Sequence, residues 1–206
     1  MNNAMHLPTR LFGLALLALS AVYAPADAVA AGPFTYLFSK GDGQIEVVNP
    51  DLTIDQTVPI GWPEYNAASG EARIATGDID GDGKDEVIIG FAPVGQSGLP
   101  DGRFEILDDD FSLLAWGQVD WPDYNSSNGE TRPAVGDTDG DGKAEIVIGL
   151  GRGGNGLVEV FRFTDGAVSA LGWADINWPD YAQANGETWP ALGDLDGTGR
   201  DRKSVV

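Results

Sequence analysis

The stretch Gly77-Asp78-Ile79-Asp80-Gly81-Asp82-Gly83-Lys84-Asp85-Glu86-Val87-Ile88-Ile89-Gly90 joins a glycine-rich loop of regularly spaced acids to a short apolar strand. It recurs as Gly136-Asp137-Thr138-Asp139-Gly140-Asp141-Gly142-Lys143-Ala144-Glu145-Ile146-Val147-Ile148-Gly149. A third copy opens as Gly193-Asp194-Leu195-Asp196-Gly197-Thr198-Gly199-Arg200. The loops begin at Asp78, Asp137 and Asp194, 59 and 57 residues apart. A fixed period of this length implies a repeat architecture rather than one compact core. Acids at loop positions 1, 3, 5 and 9 set several hard oxygens around one point, which suits Ca²⁺ and its six to eight oxygen ligands.

Outward from the loops, three units superpose along the chain. Each holds a strand of the form Gly-x-apolar-Glu-apolar: Gly43-Gln44-Ile45-Glu46-Val47, Gly102-Arg103-Phe104-Glu105-Ile106 and Gly156-Leu157-Val158-Glu159-Val160. A second strand leads to Trp62-Pro63-Glu64-Tyr65, Trp121-Pro122-Asp123-Tyr124 or Trp178-Pro179-Asp180-Tyr181. Next come Gly70-Glu71, Gly129-Glu130 or Gly186-Glu187, and then a short strand that ends at the acidic loop. Four short strands per unit, divided by turn residues and without helical periodicity, predict an all-β fold. The expected architecture is a partial β-propeller of about three four-stranded blades, with the acidic loops as hairpins. A calcium-bound β-solenoid uses much shorter repeats. Phe34-Thr35-Tyr36-Leu37-Phe38 takes the place of the apolar strand that follows an acidic loop, so the first blade is expected to lack its innermost strand.

Composition narrows the function. There is no cysteine, and the one histidine, His6, lies in the amino-terminal segment. Residues 1–30 read as a secretory signal: a basic region ending at Arg10, an apolar run over 11–24, and small-residue cleavage options at Ala26-Asp27-Ala28 or Ala28-Val29-Ala30. The run is too short for a typical membrane span. An exported protein, secreted or at the cell surface, is expected, with no membrane insertion once the signal is cleaved. Without histidine or cysteine after residue 30, Ser-His-Asp catalysis, a histidine base, thiolate chemistry and histidine-ligated zinc are excluded there. A net charge of −20 argues against nucleic acid, whose binding depends on Lys and Arg.

Residues 31–200 form the repeat region. Residues 201–206, Asp-Arg-Lys-Ser-Val-Val, are the translation of a common sequencing-adapter string. They are read as a non-native tail, with further blades expected in a longer native protein.

The Asp-x-Asp-Gly-Asp-Gly-x-x-Glu loops resemble those of FG-GAP/VCBS repeats, the calcium-loop blades of integrin α-type propellers. Gly90-Phe91-Ala92-Pro93 is similar to that family's Gly-Ala-Pro element, whereas the second unit has Gly149-Leu150-Gly151. The resemblance implies a first Ca²⁺ site from Asp78, Asp80, Asp82, Glu86 and the carbonyl of Lys84. It implies a second from Asp137, Asp139, Asp141, Glu145 and the carbonyl of Lys143. A truncated third would offer Asp194, Asp196, Thr198 and the carbonyl of Arg200, since its ninth position is Arg202. An EF-hand is excluded, because it needs an acid at position 12, where this chain has Ile89 or Ile148. The metal is expected to be structural.

If strand order follows the family, the opposite end carries Trp62, Tyr65, Asn66, Trp121, Tyr124, Asn125, Trp178 and Tyr181. Beside them lie the glycine-rich loops 94–102 and 152–156. Such aromatics can stack on sugars, but their recurrence in every unit speaks first for sealing the junctions between blades. Three functions are open: a calcium-stabilised binding or adhesion scaffold for a protein or glycan, part of a secreted polysaccharide-active enzyme, or an architectural module. Glu71 and Asp123 are the carboxylates that could serve as acid and base in the second.

Overall fold

The computed structural model describes residues 35–95 and 99–195, and the backbone of 202–205. The expected signal at 1–30 lies outside the described residues, as do Asp196, Thr198 and Arg200.

Thirteen strands and three short helices follow one another along the described chain. The first sheet is antiparallel in the order β1 (Tyr36–Ser39), β2 (Gln44–Val48), β3 (Ile54–Pro59). The second runs β4 (Ala72–Gly77), β5 (Glu86–Phe91), β6 (Arg103–Leu107), β7 (Leu113–Gln118). The third repeats it as β8 (Thr131–Gly136), β9 (Glu145–Leu150), β10 (Leu157–Thr164), β11 (Ala167–Asp175). A further pair, β12 (Pro190–Gly193) and β13 (Arg202–Val205), begins a fourth sheet. These are blades of a propeller, and among the described residues they do not close into a ring.

The apolar runs follow from this stacking. Val87, Ile89 and Phe91 of β5 pack toward the first sheet with Ile45, Val47 and Tyr65. Ile88 of the same strand joins Phe104, Ile106, Ile146 and Ile148 toward the third. A strand buried on both faces has no polar side to alternate with, so it reads as a continuous apolar run. Position Gly90 reflects the same crowding: a Cβ there would stand 2.3 Å from the Thr131 carbonyl oxygen of the next blade.

The first blade lacks its innermost strand among the described residues, as expected. Phe38 pairs with Glu46 in the register at which Ile89 pairs with Glu105 and Ile148 with Glu159. Both isoleucines are fully buried, while Phe38 is 52% exposed. At the other end Trp178 is 61% exposed. A free apolar strand edge and uncovered aromatics favour association. The chain is therefore expected to self-associate, its sedimentation-average mass rising with protein concentration. A concentration-independent monomer with one sharp unfolding transition would contradict this.

One expectation is corrected. The Trp-Pro-acid-Tyr motifs do not simply end strands; each opens a six-residue helix, α1 (Pro63–Ala68), α2 (Pro122–Ser127) or α3 (Pro179–Ala184). Proline at the first helical position has its φ already set and needs no N–H partner there. Glu64, Asp123 and Asp180 place negative charge in the first turn. Gly70, Gly129 and Gly186, at φ of +71°, +67° and +67°, then turn the chain out of the helix. Six residues make less than two turns, so no apolar period could register in the sequence.

Candidate metal centres and the opposite end

The acidic hairpins connect the two inner strands, β4 to β5 and β8 to β9. The first aspartate organises each loop. Asp78 accepts the N–H groups of Gly81 at 2.6 Å and Gly83 at 3.0 Å, and Asp137 does the same with Gly140 at 2.6 Å and Gly142 at 2.9 Å. Gly81, Gly83, Gly140 and Gly142 all have φ between +82° and +91°, a region that L side chains rarely occupy. For Asp137, those N–H bonds outweigh burial and hold its carboxyl below the usual range.

Carboxylate oxygens of Asp78, Asp80 and Glu86 lie within 4.8 Å of one another, and so do those of Asp137, Asp139 and Glu145. Oxygens on opposite sides of a Ca²⁺ ion, each about 2.4 Å away, are separated by that distance. Asp82 and Asp141 stand outside these triads and instead accept the N–H groups of Lys84 and Lys143, each at 2.9 Å. Asp194 follows β12; the rest of the third set lies outside the described residues.

Glu86 supplies the test of whether the residues suit a cation. Its Oε2 accepts the Ile79 N–H at 2.8 Å, but Oε1 is buried and has no hydrogen-bond partner. Burial first, then neighbouring Asp80 and Asp78, push this carboxyl up to about 7, against the Ile79 bond. A buried, unpartnered oxygen among hard carboxylates, with no nitrogen or sulfur donor beside it, suits a hard divalent cation.

The other end is built by the links between blades, where Glu of the Gly-x-apolar-Glu strand acts as a latch. Both Glu105 oxygens accept the Gly61 N–H of the preceding link, at 3.1 and 3.0 Å. Glu159 Oε2 accepts the Asp120 N–H at 2.9 Å. Burial drives both carboxyls up to about 7. The corresponding N–H of Asn177 has no acceptor among the described residues.

The tyrosines bridge in the same way. Tyr65 donates to the Glu71 carbonyl at 2.5 Å and accepts the Ala92 N–H at 2.9 Å. Tyr124 donates to the Glu130 carbonyl at 2.7 Å and accepts the Gly151 N–H at 2.6 Å. Trp62 meets Trp116 edge-on at 5.9 Å, and Trp121 meets Trp173 at 6.3 Å. Aromatics of the first two links thus seal blade junctions. Among the described residues Trp178 stacks only on its own Tyr181, at 5.2 Å, and it borders a cleft of about 270 Å³ with Asn155, Asp175 and Gln183.

On the innermost strands a ladder of charge links successive blades, which the sequence reading missed. Arg73 reaches Glu130 at 2.6 Å, and Arg132 holds both Glu130 oxygens at 2.9 and 3.0 Å. Arg132 also lies 3.5 Å from Glu187, with its guanidinium 3.9 Å from the ring centre of Trp189. The available signal was a basic residue two positions after the Gly-Glu pair in two of the units. Glu71 is engaged by Arg73 at 3.4 Å, and Asp123 sits in the first turn of α2. The two carboxylates share no partner among the described residues.

Residues 72–100 match the family model of the FG-GAP repeat, a segment that spans β4, the first acidic loop and β5. No curated protein sequence matches the chain. Among solved structures, the exotype rhamnogalacturonan lyase YesX aligns over 87% of this chain and 34% of its own, at 16% identity and TM-score 0.50. A rhamnogalacturonan lyase of Bacillus licheniformis aligns over 80% and 34%, at 18% identity and TM-score 0.48. The PilY1 C-terminal domain of Pseudomonas aeruginosa aligns over 83% and 36%, at 16% identity and TM-score 0.43. The chain thus spans about a third of the length of each. No helix among the described residues is long and apolar enough to cross a membrane. Residues 72–100, which match the FG-GAP repeat model, thus lie within an all-β array of propeller-type blades that is open among the described residues.

Proposed function

We propose that this protein is an exported propeller scaffold, stabilised by Ca²⁺ in its acidic hairpins, that binds a protein or glycan partner at the opposite end. The observation that carries the metal part is the buried, unpartnered Glu86 Oε1 within a triad of carboxylates. Asp78, Asp80 and Glu86 hold one ion and Asp137, Asp139 and Glu145 the other. Asp82, Asp141 and the carbonyls of Lys84 and Lys143 complete the shells as the cation draws the loops in. Asp194, Asp196, Thr198 and the Arg200 carbonyl contribute a third, incomplete set. Export rests on the leader at 1–30.

For the partner, the candidate contact is the indole of Trp178, 61% exposed among the described residues and beside the Asn155–Gln183 cleft. Indole faces flanked by amide and carboxylate groups stack on sugar rings and hydrogen-bond their hydroxyls. Glycan-array binding by the Ca²⁺-loaded protein is expected to drop at least about tenfold on Trp178→Ala, the loss of roughly 1.4 kcal/mol. The melting midpoint should hardly move, because the side chain is mostly exposed. Binding that survives Trp178→Ala, or fails only because the variant unfolds, counts against this surface.

A further inference from the structure

The two complete acidic loops are near-copies in sequence, yet the side chain that the neighbouring strand sets against each is different. Glu86 and Glu145 are both fully buried at the start of a strand. Each gives Oε2 to a loop N–H, that of Ile79 at 2.8 Å and of Thr138 at 2.9 Å. Their other oxygens differ. Glu145 Oε1 receives Arg162 Nε at 3.1 Å and Nη2 at 2.8 Å, and the same Nη2 lies 2.5 Å from Asp139 Oδ2. Two of the three carboxylates in the second triad therefore share one guanidinium, while Glu86 Oε1 has no partner.

The register shows what stands at the corresponding point of the first loop. Glu105 pairs with Ile89 as Glu159 pairs with Ile148. Both sheets then bulge one step later, between Ile106 and Leu107 and between Val160 and Phe161. Counting on, Asp108 occupies the position of Arg162. Its Oδ1 accepts the Asp109 N–H at 2.9 Å, and Lys84 of the same loop pairs with Asp109. The first loop thus meets an acid where the second meets a fixed positive charge.

We propose that Arg162 is a built-in counter-ion that makes the two loops unlike divalent-cation sites, the first tight and the second weak. The inference rests on the calcium reading of the loops. A cation entering the second triad must displace the guanidinium from Asp139 and Glu145 or sit beside it against Coulomb repulsion. In the first loop Lys143 reaches the Asp80 carbonyl and not a triad carboxylate, so an entering cation displaces no guanidinium from its ligands, and the otherwise unpartnered Glu86 oxygen binds it. Arg162 also keeps the second loop ordered before any cation arrives. That order has a use, since Ala144 donates to the Asp78 carbonyl at 2.7 Å and Lys143 to the Asp80 carbonyl. The second loop props the first.

Isothermal titration of the whole chain with Ca²⁺ tests this, with Asp78→Asn and Asp137→Asn assigning each binding step to its loop. Two steps of different affinity are expected, the tighter lost in Asp78→Asn. Arg162→Gln should tighten the weaker step by about tenfold, the size of one strong charge-assisted bond, roughly 1.4 kcal/mol. The reciprocal Asp108→Arg should weaken the tighter step, which keeps the idea testable if Arg162→Gln fails to fold by circular dichroism. Equal affinities, or an Arg162→Gln variant whose second step is unchanged or weaker, overturn the inference while leaving calcium binding intact. No binding at either loop overturns the calcium reading, and this inference with it.

Discussion

Chelation of divalent cations is expected to lower the melting midpoint of this protein by roughly 10–20 °C, and millimolar Ca²⁺ to restore it. The size follows from linkage. A ligand at a hundredfold its dissociation constant adds about 2.7 kcal/mol per site. Two sites add up to about 5 kcal/mol when Ca²⁺ is high enough to load the weaker one to the same degree, and in a chain of this size each kcal/mol moves the midpoint by roughly 2–4 °C. That is a large part of a typical stability margin of roughly 5–15 kcal/mol. The cause lies in the hairpins: three carboxylate oxygens within 4.8 Å repel one another until a cation sits between them. Most of the shift should arise in the first loop, where Glu86 lacks the guanidinium that Glu145 has. Asp78→Asn should accordingly remove more of the calcium response than Asp137→Asn. A midpoint that ignores both chelator and Ca²⁺ would refute a structural metal.

What the sequence revealed and what it hid have physical causes. The acidic hairpins were legible because turn chemistry is local: glycine at positive φ and aspartate turned back on loop N–H groups leave a fixed spacing. The blades were legible because β5 and β9 are buried on both faces and so carry unbroken apolar runs. The helices were not, since α1, α2 and α3 are too short to display a period. Glu105 and Glu159 stood out as acids in apolar strands, but their partners are N–H groups 44 and 39 residues earlier, supplied by a neighbouring blade. No local pattern encodes such a pairing. Arg162 was hidden for a related reason. The two loops are nearly identical, and the difference between them lies on the next strand. The expectation that aromatics seal the blades holds for Trp62 and Trp121 and leaves Trp178 uncovered.

Arg132→Ala is expected to destabilise the protein by about 3 kcal/mol, at the lower end of the roughly 3–5 kcal/mol that follows when one partner of a buried ion pair is removed. Glu130 and Arg132 are 4% and 5% exposed. Truncation strips Glu130 of two hydrogen bonds and leaves its charge in a medium that solvates it poorly. It also removes the stack of the guanidinium on Trp189 and a bond to the Thr188 carbonyl at 3.4 Å, both of which tie the third blade to the segment beyond it. The loss stays at the lower end because Arg73 still reaches Glu130 at 2.6 Å. The midpoint should fall by roughly 6–12 °C in the presence of Ca²⁺. Replacing both residues, as Glu130→Gln with Arg132→Met, should cost less than Arg132→Ala alone, since Glu130 no longer carries a buried charge and Arg73 keeps Glu71 at 3.4 Å. A double variant as unstable as the sum of its single changes would mean that the pair is not coupled. The ladder would then be a row of independent charges rather than the fastening between blades.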